Sequence, residues 1–366
     1  MGESFGLYIH IPFCKQKCLY CDFFSGKGSD SDYDSYTRAL LERISYWGGQ
    51  TDRAVTSVYF GGGTPSVLGA ERLSALLSRI KSRFIVTPDA EITAEINPDT
   101  GKAIDFELMK KAGFNRISVG LQSAVEKELS ALGRIHKVDD AKETVERARA
   151  AELDNISLDL MLGIPFQTEE SMKKSVDFCV GCGVKHISAY MLKIEEGTPF
   201  YAMRENLEIA DDDLQAELYL SAVGYLAEKG FYQYEISNFS KKGYESRHNL
   251  CYWNCDEYLG IGPAAHSFFK GERFCCERSM ESFLKNELTL LGAGGGEDEY
   301  IMLRLRLSEG LVYADYKKRF GKPFPREKLK IIAKYSNAGL MEADEKGCRF
   351  TKKGFLLSNP IISELV

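Results

Sequence analysis

No run in this sequence approaches the ~20 consecutive apolar residues that a membrane-spanning helix needs. No secretory signal opens it either, because MGESFGLYIH lacks a basic segment and carries His10 inside its apolar run. Positive charge is in short supply, with 47 Lys and Arg against 53 Asp and Glu and a net charge of -6. That balance argues against general affinity for nucleic acid and leaves room only for a local basic face. Contact with a membrane would be at most peripheral, so the chain reads as cytoplasmic. In that compartment most of its ten cysteines should be reduced, small buried hydrophobes.

One group of cysteines breaks that expectation. The stretch LYIHIPFCKQKCLYCDFFS (7–25) brings an aliphatic run into Cys14, Cys18 and Cys21, in Cys-x3-Cys-x2-Cys spacing. A fourth thiol is missing. A tetrahedral zinc site would need one more ligand, and only His10 is near; on an apparent strand it reads as packing or rim. Three thiolates on one loop suit an iron–sulfur cluster, each reaching a separate iron.

The first half of the chain alternates strand-like and helix-like segments. Candidate strands are Leu7–Pro12, Val55–Phe60, Ala90–Ile96, Arg116–Leu121, Ile156–Leu162 and His186–Leu192. Helical patterns cover 35–47, 71–83, 102–112, 138–152 and 168–180, with another over 211–230 capped by the Asp211–Asp213 run. Six such units imply a parallel sheet with right-handed crossovers. The cysteines, GGGTPS (61–66), EINPD (95–99) and Gln122 each follow or end a successive strand. Polar groups at one C-terminal rim favour an α/β fold built as a partial (β/α)6 TIM-like barrel over an open doubly wound sheet.

The expected organisation is a barrel domain over 1–291, including the region that follows the six units, a Gly/acidic linker at 292–299 (GAGGGEDE), and a domain over 300–366. Helices followed by a terminal hairpin near CRFT make that last domain winged-helix-like. Eight basic residues from Lys317 to Lys334 accompany only Glu327. They read as a solvated helix face, with an anionic docking surface or DNA as the less favoured alternatives. CVGC (179–182) has redox spacing but falls at a helix end. Cys251, Cys255, Cys275 and Cys276 lack a well-placed second histidine, so inert thiols are the simpler reading in both cases.

The three-cysteine motif, with aromatic Tyr20 before its last member, resembles the radical SAM superfamily, where the iron without a thiolate binds S-adenosylmethionine (SAM). GGGTP resembles the glycine motif that receives the methionine amine. LYIHIPFC, YFGGGTPS, EINPD, RISVGLQS, LDLMLGIPFQT and LGIGPAAHSF together resemble oxygen-independent coproporphyrinogen III oxidases and their HemW-type relatives. LRLSEG and GFLLSN near the C-terminus resemble the HemW-type group in particular.

The resemblance implies that Cys14, Cys18 and Cys21 hold a [4Fe-4S] cluster. It places Tyr8, Gly62, Gly63 and Thr64 along the SAM methionine, Glu95 on its ammonium and Arg134 on its carboxylate. Gln122 and Asp159 would meet the ribose, and the Tyr20 backbone the adenine. Two departures separate the chain from the oxidases: Phe23 stands where they have a fourth cysteine, and only thirteen residues precede Cys14. HNLCYW (248–253) fits the HNxxYW haem pattern of the HemW-type group, making His248, Tyr252 and Trp253 the expected haem contacts. His266 reads as structural or as part of the rim. The function implied is that of a haem chaperone, with haem as cargo and a respiratory haem-acceptor protein and a homodimer as expected partners. In that function the cluster serves dimerisation or haem transfer as much as radical chemistry. The alternative is oxidative decarboxylation of coproporphyrinogen III.

Overall fold

The computed structural model describes residues 4–366. Six parallel strands pair in chain order: β1 (Ser4–Ile11), β2 (Ala54–Gly62), β3 (Ile85–Ile96), β4 (Arg116–Gln122), β5 (Ile156–Leu162) and β6 (His186–Met191). Each is followed by helix, and the sheet they form is not closed. This is the open barrel expected from the alternating pattern.

Side chains divide by the two-residue period of a strand. On β4, Ile117, Val119 and Leu121 are buried among the helices, while Arg116, Ser118 and Gln122 belong to the other face. Leu7, Ile9 and Ile11 of β1 join the same apolar layer, and Tyr8 and His10 turn inward. The aliphatic half of each strand therefore holds the helices on. Its polar half lines the inside of the barrel.

Local chemistry sets where elements begin. The first helix runs Asp30–Gly48, five residues earlier than its periodicity suggests, because Ser29 and Asp32 form a reciprocal capping box. The helix expected over 102–112 starts only at Phe106 and runs to Ala112, and a separate single turn, Pro98–Gly101, precedes it across a break. Asp105 causes the break, accepting the Leu108 N–H at 2.9 Å as a new N-cap.

Six further strands extend the sheet to twelve and lie outside the sequence reading. β7 (Tyr232–Glu235) and β8 (Asn238–Ser240) add to β6; β9 (Tyr258–Ile261) pairs parallel to β1, followed by β10 (His266–Phe269), β11 (Glu272–Cys276) and β12 (Leu288–Ala293). Most are three to five residues long, too short for a period to stand out. Residues 292–299 close β12 at Ala293 and open a helix at Glu297.

The remaining chain runs helix Glu297–Arg304, β13 (Leu311–Val312), helices Tyr313–Phe320 and Arg326–Asn337, then β14 (Met341–Ala343) and β15 (Gly347–Phe350). Two helices, Lys352–Leu356 and Ser358–Leu365, follow the hairpin expected to be terminal. The three strands make one small antiparallel sheet, in the element order of a winged helix. Among the described residues no helix is long and apolar enough to cross a membrane.

Candidate functional site

The cysteine loop leaves β1 and is fastened at its base, where Cys14 N–H donates to Gly26 and Gly26 N–H donates back to Pro12. The glycine loop after β2 clamps the same segment. Gly63 N–H donates to Ile11 O at 2.8 Å and Thr64 N–H to Phe13 O at 2.7 Å. This approach is why a side chain is excluded at Gly63: a Cβ there would stand 2.5 Å from Phe13 O and 3.0 Å from the Cys14 sulfur. A Cβ on Gly62 would strike the His10 ring at 2.7 Å, and φ there is +114°.

Cys14, Cys18 and Cys21 line one cavity of about 420 Å³. Burial pushes the Cys18 and Cys21 thiols up, and each thiol also feels its neighbours' charge. Among the described residues no three His, Cys, Asp or Glu side chains converge on a single ion. His10 is not a fourth ligand in this arrangement, since its Nε2 pairs with Phe24 O at 2.9 Å and its Nδ1 with the Tyr8 hydroxyl at 3.1 Å.

The same cavity is walled by Tyr20, Gly62, Gly63, Thr64, Glu95, Gln122, Arg134 and Asp159. Asn97, which sequence reasoning passed over inside EINPD, ties several of them together. Its amide donates to Thr64 Oγ1 at 2.9 Å and its carbonyl accepts from Arg134 Nη1 at 3.2 Å. Arg134 Nη2 donates to the Tyr20 hydroxyl at 2.6 Å, while its Nε is buried without a partner.

Glu95 accepts from the Tyr59 hydroxyl at 2.8 Å, yet burial lifts its carboxyl to about 7. An ammonium beside it would restore the charged form. Across the cavity, Asp159 is also raised by burial, although Ser118 donates to it at 3.1 Å and Ser157 at 3.4 Å. Gln122 holds a left-handed φ of +70°, a strained turn at the end of β4. Tyr8 is set apart from this wall, behind Tyr59 and stacked at 6.3 Å from it.

HNLCYW forms the short helix Arg247–Trp253, whose Asn249 reaches the floor of the cavity. Glu91 on β3 accepts from Ser246 Oγ and from the Arg247 and His248 N–H groups, fixing the helix under the barrel. His248 is buried inside: Nδ1 lies 2.8 Å from Ser57 Oγ and Nε2 2.7 Å from the Tyr252 hydroxyl. Tyr252 and Trp253 are half-buried. His266 is exposed.

The other cysteines carry no comparable arrangement. Cys179, Cys182, Cys251 and Cys255 all have thiols pushed up by burial, which disfavours reactive thiolate. Of the basic run, Lys322, Lys328 and Lys334 pair with Glu297, Asp298 and Glu364. Three of its eight basic side chains are thus compensated by ion pairs.

The chain matches the Radical SAM superfamily over residues 8–179 and the HemN C-terminal domain over 298–357. The heme chaperone HemW of Mycobacterium tuberculosis is 33% identical over 380 residues, spanning 100% of this chain and 95% of that protein. HemW of Bacillus subtilis is 32% identical, over 97% of each chain. The chain belongs to the HemW family of radical SAM proteins. HemW of Escherichia coli is 40% identical over 71% of this chain and 69% of its own. Among solved structures, the coproporphyrinogen III oxidase HemN of Escherichia coli shares the fold, with a TM-score of 0.84 over 98% of this chain and 89% of that one. At 22% identity that likeness speaks for the fold alone. Membership of the radical SAM group implies a [4Fe-4S] cluster and SAM, and the three-thiol cavity with its close-approach glycines fits both.

Proposed function

We propose that this protein is a haem chaperone, which binds haem with the help of a [4Fe-4S] cluster and SAM and delivers it to an acceptor, expected to be a respiratory protein. The observation that carries the reading is the match to HemW heme chaperones along nearly the whole chain. In this reading residues 1–291 hold the cofactor and haem machinery, and 300–366 form a separate winged-helix-like domain. The setting is the cytoplasm, and a homodimer is the assembly to test.

Cys14, Cys18 and Cys21 would hold the cluster. Gly62, Gly63, Thr64 and Glu95 would receive the methionine amine of SAM, and Arg134 its carboxylate. Gln122 and Asp159 would take the ribose, with Tyr20 beside the adenine and Tyr8 supporting the methionine side. When bound, the pair supplies one-electron chemistry. Phe23, 65% exposed at the cavity mouth, leaves the loop without a fourth thiol.

His248 would be the iron ligand. Burial, helped by Arg116, lowers its pKa to about 3, so the ring is neutral. In the tautomer in which the Tyr252 phenol, kept protonated by burial, donates to Nε2, the ring proton is on Nδ1, facing Ser57. Nε2 thus holds the lone pair, and Tyr252 must swing aside before iron can take it. Tyr252 and Trp253 would then offer apolar faces to the porphyrin.

The test is anaerobic reconstitution of the cluster, followed by SAM with haem or coproporphyrinogen III offered separately. Stoichiometric haem uptake that weakens on His248→Ala, without decarboxylation, is the expected result. Protoporphyrinogen above the level of a cluster-free control would overturn it.

A further inference from the structure

The floor of the cavity carries a cation with nothing to hold. Arg116 begins β4, level with Thr93 of β3, and is only 2% exposed. Its guanidinium reaches the cavity wall, and its Nε has no hydrogen-bond partner. Glu91 and Asp159 sustain its charge through space and not through a hydrogen bond. Both carboxylates are engaged elsewhere, Glu91 with the N-terminal end of the HNLCYW helix and Asp159 with Ser118 and Ser157.

A charge buried without a direct partner is among the costliest features a fold can keep. A planar guanidinium is shaped for bidentate pairing with a carboxylate. Tyr190 and Asn249 line the same cavity and offer further hydrogen-bond donors. We propose that this floor is a carboxylate subsite, in which Arg116 takes an acid group carried on a flexible arm, the chemistry of a porphyrin propionate. The subsite deepens the haem-chaperone reading and rests on it for the identity of the arm. Glu95 and Asp159 also face this space; with SAM bound the methionine ammonium would match the charge of Glu95, and burial moves Asp159 towards its neutral form, so an incoming carboxylate does not meet two unmatched charges.

The N–H groups of the Arg116 guanidinium are themselves the probe. Cluster-loaded, SAM-bound protein labelled with 15N at arginine is titrated with propionate, with propionamide as the uncharged control. The Arg116 signal is assigned by its absence in Arg116→Lys or, should that variant not fold, in Arg116→Gln. A saturable downfield shift with propionate, not matched by propionamide, is expected. Metal-free coproporphyrin III should reproduce the shift and its tetramethyl ester should not. Arg116→Lys should weaken coproporphyrin III binding about tenfold, read by fluorescence, and leave the ester unchanged. No shift with either acid, or an equal response to the amide, would reduce Arg116 to a counter-ion of Glu91 and Asp159. No iron ligand is involved in this readout. Absence of haem uptake, or protoporphyrinogen formation, therefore removes the haem-chaperone reading and leaves the carboxylate subsite standing, whereas haem uptake without the propionate shift removes only the subsite.

Discussion

Tyr59 joins Glu95 to His248. Its hydroxyl donates to Glu95 Oε1 at 2.8 Å, and its ring stacks on the His248 imidazole with centroids 5.1 Å apart and planes 24° from parallel. One side chain thus touches the residue expected to meet the SAM ammonium and the residue expected to meet haem iron. Tyr59→Phe should remove the first contact and keep the second. A hydrogen bond to a charged group contributes about 1.5–3 kcal/mol, so SAM affinity should fall about tenfold or more while haem uptake stays near that of the parent. Tyr59→Ala should move both. Equilibrium dialysis with SAM and a haem titration on reconstituted protein check the pair, and a Phe variant that loses haem but keeps SAM would contradict it.

Glu95 makes the site sensitive to pH. Burial raises its carboxyl from 4.5 to about 7, so between those values the folded state holds a proton that the unfolded chain releases. Its contribution to stability is complete below about 4.5 and is lost as pH rises through about 7. Glu235, also pushed to about 7 by burial, acts in the same window. Glu95→Gln should therefore flatten part of the fall in stability of the cofactor-free protein over this range, and leave it more stable than the parent at pH 8. SAM affinity should run the other way in the parent, strengthening as Glu95 ionises, and should lose that rise in the variant. Thermal unfolding and SAM binding measured across pH test both signs.

Gly63→Ala should separate folding from cluster assembly. The added Cβ meets the Phe13 carbonyl at 2.5 Å and the Cys14 sulfur at 3.0 Å, so the cysteine loop must move. Overpacking of this kind costs about 1–3 kcal/mol, which a barrel of this size should survive. The expected outcome is a protein with parental far-UV circular dichroism and strongly reduced iron and sulfide after reconstitution. Full cluster content in the variant would show that the clamp between the two loops is not needed.

The site was legible where chemistry is written in one short stretch. The cysteine spacing, the glycines and the HNLCYW segment each appear in a few consecutive residues, and the alternating pattern gives the strands that carry them. What escaped depends on distant residues meeting. Arg116 sits in RISVGLQS as one inward residue of a buried strand, and only its neighbours from β3, β5 and the HNLCYW helix reveal that it lacks a partner. His248 reads in sequence as an available imidazole, whereas Ser57 and Tyr252 engage both its nitrogens. Strands β7 to β11 are too brief to show a period, and they find their places by pairing with β6 and β1.

Asn97 gives the last test, because nothing in its own chemistry marks it as a contact to the cofactor. It joins Thr64, on the glycine side, to Arg134, on the tyrosine side, through hydrogen bonds of 2.9 and 3.2 Å. Asn97→Ala would leave Arg134 held only by Tyr20 and would free the Thr64 hydroxyl, which also approaches the Cys14 sulfur at 3.4 Å. Two hydrogen bonds lost at about 1 kcal/mol each predict a SAM affinity lower by roughly tenfold or more. Cluster content should change little, since the Gly63 and Thr64 backbone clamps remain. Asn97→Asp separates geometry from charge: it keeps an acceptor for Arg134 but loses the donor to Thr64, and adds a negative charge beside the carboxylate that Arg134 is expected to bind. Its SAM affinity should fall below that of the alanine variant. Should Asp bind SAM better than Ala, position 97 does not lie near the SAM carboxylate, and the assignment of Arg134 would have to be withdrawn.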